Sequence, residues 1–173
     1  HSLCEHKLKI LLGMETCDPT ETLDFFDQEM ADASDAYAQF VMEQVEAGKE
    51  TCKDILVLVE QKLDFSRWVP DGFGTGDCMI VADDTLRVID FKYGVGVLVD
   101  AENNPQMMCY ALGALQMFEG IYDISSIAMT IFQPRRDNIS TFVLSKEELL
   151  KWAEEVLSPA AKLAAKGEGE FHA

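Results

Sequence analysis

The sequence predicts an α/β (α+β) fold in which helices flank a central mixed β-sheet. Apolar residues recur at helical spacing in separate stretches, and between them the period changes to two. Two short apolar runs, Cys78 to Ala82 and Leu86 to Ile89, flank Asp83-Asp84 and predict a β-hairpin. With 173 residues and 48% hydrophobic content, the chain fits one domain, residues 1–173, with a sizeable core.

The elements follow in order. A first helix runs from His1 to Leu12 and stops at Gly13. It opens without Met on an already helical pattern, so the expectation is a chain truncated at both ends. Asp18-Pro19 breaks the backbone pattern. A second helix is expected from about Asp27 to Ala47, with Met30, Ala33, Tyr37, Phe40, Val41 and Val45 as its apolar stripe and Gly48 as its stop. From Asp54, the alternation of Ile55, Val57, Val59 and Leu63 predicts a strand. The hairpin strands are Thr75 to Ala82 and Thr85 to Lys92, and the glycine-spaced run from Tyr93 to Asp100 is a loop. Asn103-Asn104-Pro105 launches a helix that reaches Phe118. Strands Ile124 to Gln133 and Asn138 to Leu144 are joined by a Pro-Arg-Arg-Asp turn. Ser145 and Glu148 form a capping box for a last helix running to about Lys166.

Charge and cysteine content narrow the function classes. The net charge of −17 counts against tight non-specific nucleic-acid binding, which ordinarily needs a basic footprint. Much of that acid lies between Glu15 and Glu50, where Lys49 is the only base, as on a solvated helical face. Five scattered cysteines without a Cys-x-x-Cys pair argue against a disulfide framework and against a zinc ribbon, leaving reduced, mostly core thiols. No apolar stretch is long enough to span a bilayer and no signal peptide opens the chain, so no membrane partner and a cytoplasmic location are expected.

The candidate chemistry lies on the hairpin. If Asp83 and Asp84 form a two-residue turn, Ala82 faces Thr85 and Asp77 falls opposite Asp90. Like charges so placed repel, and a bound cation offsets that repulsion. Alternation puts Lys92 on the same face as Asp90. Hard ions such as Mg²⁺ prefer carboxylate oxygens and use one or two of them, and a lysine beside such an ion positions water or offsets charge on a phosphate. The bland alternative is a turn-capping Asp77 with a strand-end ion pair of Asp90 and Lys92. Gln106 and Tyr110 share one helix face, which on spacing alone is a polar first turn and a half-buried tyrosine. Glu60 reads as a strand-end surface charge, with an acid that supports the metal ligands from behind as its less favoured role, and His6 as a bystander. Arg67, Trp68, Arg135 and Arg136 are candidates for phosphate contact or base stacking.

Together, Gly74-Thr75-Gly76-Asp77, Ile89-Asp90-Phe91-Lys92 and Gln106-x-x-x-Tyr110 resemble the motif set of the PD-(D/E)XK nuclease superfamily in its RecB-like branch. The similarity is to phage- and prophage-encoded exonucleases related to the CRISPR-associated RecB-like exonucleases, and spans His1 to about Ser145. It implies a restriction-endonuclease-like core and a Mg²⁺- or Mn²⁺-dependent nuclease acting on DNA, with phage recombination proteins as partners. It also implies His1, Asp77, Asp90 and the Phe91 carbonyl as metal ligands, Lys92 as the catalytic lysine, and Gln106 and Tyr110 as supporting groups that contact DNA. Relatives often end in a cysteine cluster holding an iron–sulfur centre. None precedes Phe171-His172-Ala173, so that cofactor is expected only if such a cluster lies outside this chain. The competing expectation is a catalytically inactive nuclease-like binding or assembly module. A small-molecule phosphohydrolase is disfavoured, because the phosphate-cradling Gly-x-x-x-x-Gly-Lys loop is missing.

Overall fold

The computed structural model describes residues 1–168; the Phe171-His172-Ala173 end lies outside them. Helices α1 (Ser2–Leu11) and α2 (Gln28–Lys49) precede a hairpin-rich run of β1 (Leu56–Asp64), β2 (Phe73–Ala82) and β3 (Thr85–Phe91). Then come α3 (Pro105–Phe118), β4 (Ser126–Gln133), a 3-10 turn (Pro134–Arg136) and β5 (Asn138–Ser145). The last helical stretch is α4 (Lys146–Trp152), a π segment (Ala153–Leu157) and α5 (Ser158–Ala165).

The five strands form one mixed sheet in the order β1-β2-β3-β4-β5. Only β3 and β4 are parallel, because α3 carries the chain across one face between them. Helix α3 covers the face that presents Met79, Val81, Leu86, Val88, Ile127 and Met129. Helices α1 and α2 cover the other, over Val59, Cys78, Ile80, Ile89 and Phe91. The stripe expected on α2 is the one it buries, through Ala33, Tyr37, Val41 and Val45.

Three local devices fix this arrangement. Asp27 caps α2 by accepting the N–H of Met30, and Asn104 caps α3 by accepting those of Gln106 and Met107. Ser145 and Glu148 close the capping box of α4. The hairpin turn has two residues, with Asp83 at φ 53° and Ala82 paired with Thr85.

Three expectations need correction. Gly48 does not stop α2. It lies inside the helix, where a Cβ would stand 3.0 Å from Ile55 Cδ1, so its role is close packing. The last helix is not uniform: Pro159, which has no N–H and crowds the preceding turn, is preceded by the π segment. The thiols are also less uniformly core than expected, since Cys4 and Cys78 are buried but Cys17 is exposed.

Candidate active site

Element ends converge at one end of the sheet. β2 passes through Asp77, β3 leaves through Asp90 and Phe91, α1 starts after His1, and α3 starts at Pro105. Cys78 pairs with Ile89, so the next position outward sets Asp77 opposite Asp90, the register the two-residue turn predicts. Both carboxylates are buried, Asp90 to 3% exposure.

Asp77 is held from two sides. Its Oδ1 lies 3.0 Å from His1 Nδ1, and its Oδ2 accepts the Phe91 N–H at 2.7 Å. The hydrogen bond to Asp77 raises the His1 pKa above its ordinary value, against the opposing effect of burial. Lys92 N–H donates to the Phe132 carbonyl on β4 at 2.9 Å. A planar trans peptide therefore turns the Phe91 carbonyl the other way, toward β2 and Asp77.

Lys92 links the sheet to α3. Its Nζ lies 2.9 Å from Asp90 Oδ2 and donates to Gln106 Oε1 at 2.9 Å, while Gln106 Nε2 donates to the Tyr110 hydroxyl at 2.9 Å. Tyr110 lies across Gly74, where a Cβ would be 2.5 Å from Tyr110 Cε1, so the first glycine of the Gly-Thr-Gly-Asp run leaves room for the tyrosine. Gln106, Tyr110, Lys92 and Asp90 thus form one connected chain. The Lys92 ammonium pairs with Asp90 Oδ2 inside the site, so the buried carboxylate keeps a cationic partner. Burial, followed by the charge of Asp77, pushes the Asp90 pKa up.

The residue that sequence reasoning underrated is Glu60. Val59 pairs with Cys78 and Gln61 with Gly76, which sets Glu60 opposite Asp77. One ligand atom each from His1, Glu60 and Asp77 lies within 4.8 Å of the other two. Glu60 is therefore a member of the acidic centre and not a peripheral charge, while Asp90 stands beside this trio on the Lys92 side. Burial and the neighbouring Asp77 raise the Glu60 pKa. The long connection between β1 and β2 conceals this register in the sequence, since Pro70-Asp71-Gly72 marks a turn there but not which residues pair across it.

The same residue bends the strand. Leu58 and Leu63 both pack into the core on the α3 side although they are five positions apart, which regular alternation forbids. Glu60, at φ 52°, is where the alternation switches. A non-glycine residue held there costs about 1–3 kcal/mol.

The remaining candidates separate. Trp68 is buried in the core, with Arg67 over its ring at 5.3 Å and 3.8 Å from Glu119 beyond the far end of α3, so neither belongs to this site. Arg135 is closer: it donates to Glu29 at 2.9 Å and sits 4.8 Å over Tyr93, which stacks on Phe91. His6 pairs with Thr16 at 3.3 Å, away from His1. A groove of about 470 Å³ opens beside Lys92, between His1 and the loop that follows β3.

Imidazole nitrogen, carboxylate oxygens and a main-chain carbonyl are the donor set that suits a hard or borderline divalent ion, and one such atom each from His1, Glu60 and Asp77 already lies close enough to share it. The residues fit such an ion. Fold and site together define a mixed α/β protein with an acid-and-lysine centre at one end of its sheet. Over residues 1–173 the chain matches the model of the family described as protein of unknown function DUF2800, and it belongs to that family. It is also similar to SSO0001, whose crystal structure matches over 88% of this chain and 82% of that one at 13% identity and a TM-score of 0.27. No helix among the described residues is long and apolar enough to cross a membrane.

Proposed function

We propose that this chain is a metal-dependent deoxyribonuclease of the PD-(D/E)XK type in its RecB-like branch, an exonuclease that hydrolyses DNA in phage or prophage recombination. The observation that carries the reading is the Lys92 ammonium fixed between Asp90 and Gln106 beside the convergent His1, Glu60 and Asp77. His1, Glu60, Asp77, Asp90 and the Phe91 carbonyl are the groups that would hold Mg²⁺ or Mn²⁺. When bound, such an ion polarises a phosphoryl oxygen and lowers the pKa of water.

The chain's own groups do the positioning. Asp77 fixes the His1 ring through Nδ1 and the end of β3 through the Phe91 N–H. Gln106, oriented by Tyr110, holds the Lys92 side chain at the mouth of the groove. From there the ammonium donates to the attacking water and offsets the charge that builds on the phosphate in the transition state.

The test is cleavage of labelled single- and double-stranded DNA in Mn²⁺. Lys92→Ala and Asp90→Ala are each expected to lower kcat by about 10²–10³-fold, the usual cost of removing a preorganised charge-stabilising group. Activity untouched by both changes would overturn the proposal. A second reading, an inactive nuclease-like module in a phage DNA-processing complex, is favoured by the net charge of −17. Calorimetry separates the two: saturable Mn²⁺ binding that is lost in Asp77→Ala supports the enzyme, and no binding supports the module.

A further inference from the structure

We propose that β5 is a docking edge for a second copy of this chain: two molecules pair their β5 strands antiparallel about Thr141 and join their sheets edge to edge. The inference is independent of the nuclease reading.

The edge presents a defined set of main-chain groups. Strand β5 ends the sheet, so one side of its backbone has no strand beside it. The Phe132 carbonyl accepts the Lys92 N–H, which turns the main-chain groups of Phe132 toward β3. Alternation along β4 then turns those of Gln133, Ile131, Met129 and Ile127 toward β5, where Asn138, Ser140, Phe142 and Leu144 receive them. The N–H and C=O of Ile139, Thr141 and Val143 therefore point outward, and among the described residues nothing bonds to them. Ser145, the next outward residue, already donates its N–H to Glu148. Three free residues centred on Thr141 define one antiparallel register, with Thr141 against its own copy and Ile139 against Val143. Each such pair exchanges two main-chain hydrogen bonds.

The two sheet edges differ in their defences. Strand β1 carries Glu60, Lys62 and Asp64 and is kinked at Glu60, devices that keep a foreign strand off. Strand β5 reads Asn-Ile-Ser-Thr-Phe-Val-Leu-Ser, with neither charge nor proline. Ile139 and Val143 are 55% and 57% exposed, because the core under α1 and α2 extends to Phe132 on β4 and takes in nothing from β5. An uncharged edge of this kind accepts an added strand. A second β5 fits it because the sequence complements itself: the register sets aliphatic Ile139 against aliphatic Val143 and threonine against threonine, both favourable cross-strand pairs. The flanks match as well. Arg136 and Glu147 lie just outside the two ends of β5, exposed and, among the described residues, without an ion-pair partner. A two-fold copy brings Arg136 of one molecule to the end where the other carries Glu147. Molecules with a net charge of −17 each thus meet through an uncharged strand bounded by opposite charges.

The experiment is sedimentation equilibrium of the full chain over micromolar concentrations, in which a species of twice 19.3 kDa is expected. Val143→Lys places a charge on the solvent-facing edge, and Thr141→Pro removes both hydrogen bonds at the two-fold axis while remaining compatible with an edge strand. The dimer dissociation constant is expected to rise about tenfold in the first and about a hundredfold in the second, with unchanged far-UV circular dichroism. Register is read by cross-linking in a Cys17→Ser background, which removes the exposed native thiol. Thr141→Cys is expected to form a disulfide-linked dimer on oxidation, since Cα atoms about 5.5 Å apart suit that bond. Val143→Cys, set against Ile139, is expected to stay unlinked. A parent of 19.3 kDa at every concentration would leave the edge to another protein's strand and overturn the proposal. A dimer that neither Val143→Lys nor Thr141→Pro weakens, or equal cross-linking at 141 and 143, overturns it too. Val143→Lys decides the matter should Thr141→Pro fail to fold.

Discussion

At the scale of single residues, the centre is a set of carboxylates held where they are uncomfortable. His1, Glu60 and Asp90 all have folded-state pKa values raised above their unfolded ones. Each therefore contributes stability that is complete below its unfolded pKa and is lost as pH rises through the folded value. The metal-free protein is expected to gain stability as pH falls from about 8 to about 5, before the carboxylates with lowered pKa, such as Asp84 and Asp100, begin to protonate. Denaturant midpoints measured in chelator check this, and a midpoint that falls steadily over that range would contradict it. Glu60→Gln isolates one member of the group. Removing a like charge opposite Asp77 is expected to stabilise the metal-free fold by about 0.5 kcal/mol. The same change is expected to weaken Mn²⁺ binding about tenfold, a stability gain at the expense of function. An unchanged Mn²⁺ affinity would remove Glu60 from the ligand set.

At the scale of elements, the hairpin was legible because its turn is short. Two residues at Asp83-Asp84 leave one register, and that register puts Asp77 opposite Asp90 before any coordinates are known. The partner strand β1 was legible as a strand but not in its detail. Its side chains switch faces at Glu60, and a positive φ in a non-glycine residue leaves no mark in the sequence. Helix α3 was legible to the residue because Asn104 and Pro105 announce its start, whereas the use of Gly74 as a seat for Tyr110 is a tertiary contact with no local signature. Gln133 shows the same limit: as the last residue of a strand it looks like an edge polar group, yet it anchors the loop after β3. Gln133→Leu removes the partners of two carbonyls and one amide and is expected to cost about 1–3 kcal/mol in urea unfolding with an unchanged m value. No loss of stability would mean that the loop is held by something else.

At the scale of the whole molecule, one sheet brings two helical layers to the same end, α1 delivering His1 from one face and α3 delivering Gln106 and Tyr110 from the other. If the proposed ion is held there, a site assembled from both layers would tie its binding to global stability. Mn²⁺ at 100 times its dissociation constant is expected to add about 2.7 kcal/mol, or about 5–10 °C in Tm for a chain of this size. Asp77→Ala should abolish that increment, and a Tm indifferent to Mn²⁺ in the parent protein would show that no ion is held there. The charge of −17 was legible as a number but not as a pattern, because only the folded chain shows that buried acids at one sheet end are distinct from the solvated acids of α2.

The contact between His1 and Asp77 has a practical consequence for handling the protein. Whatever is joined to the amino side of His1 departs from a residue whose ring lies 3.0 Å from a buried aspartate. A polyhistidine purification handle fused there would bring a string of imidazoles to the mouth of the centre, where they would compete for any added ion and obstruct the groove. Recombinant forms meant for assay should carry their handle at the opposite terminus.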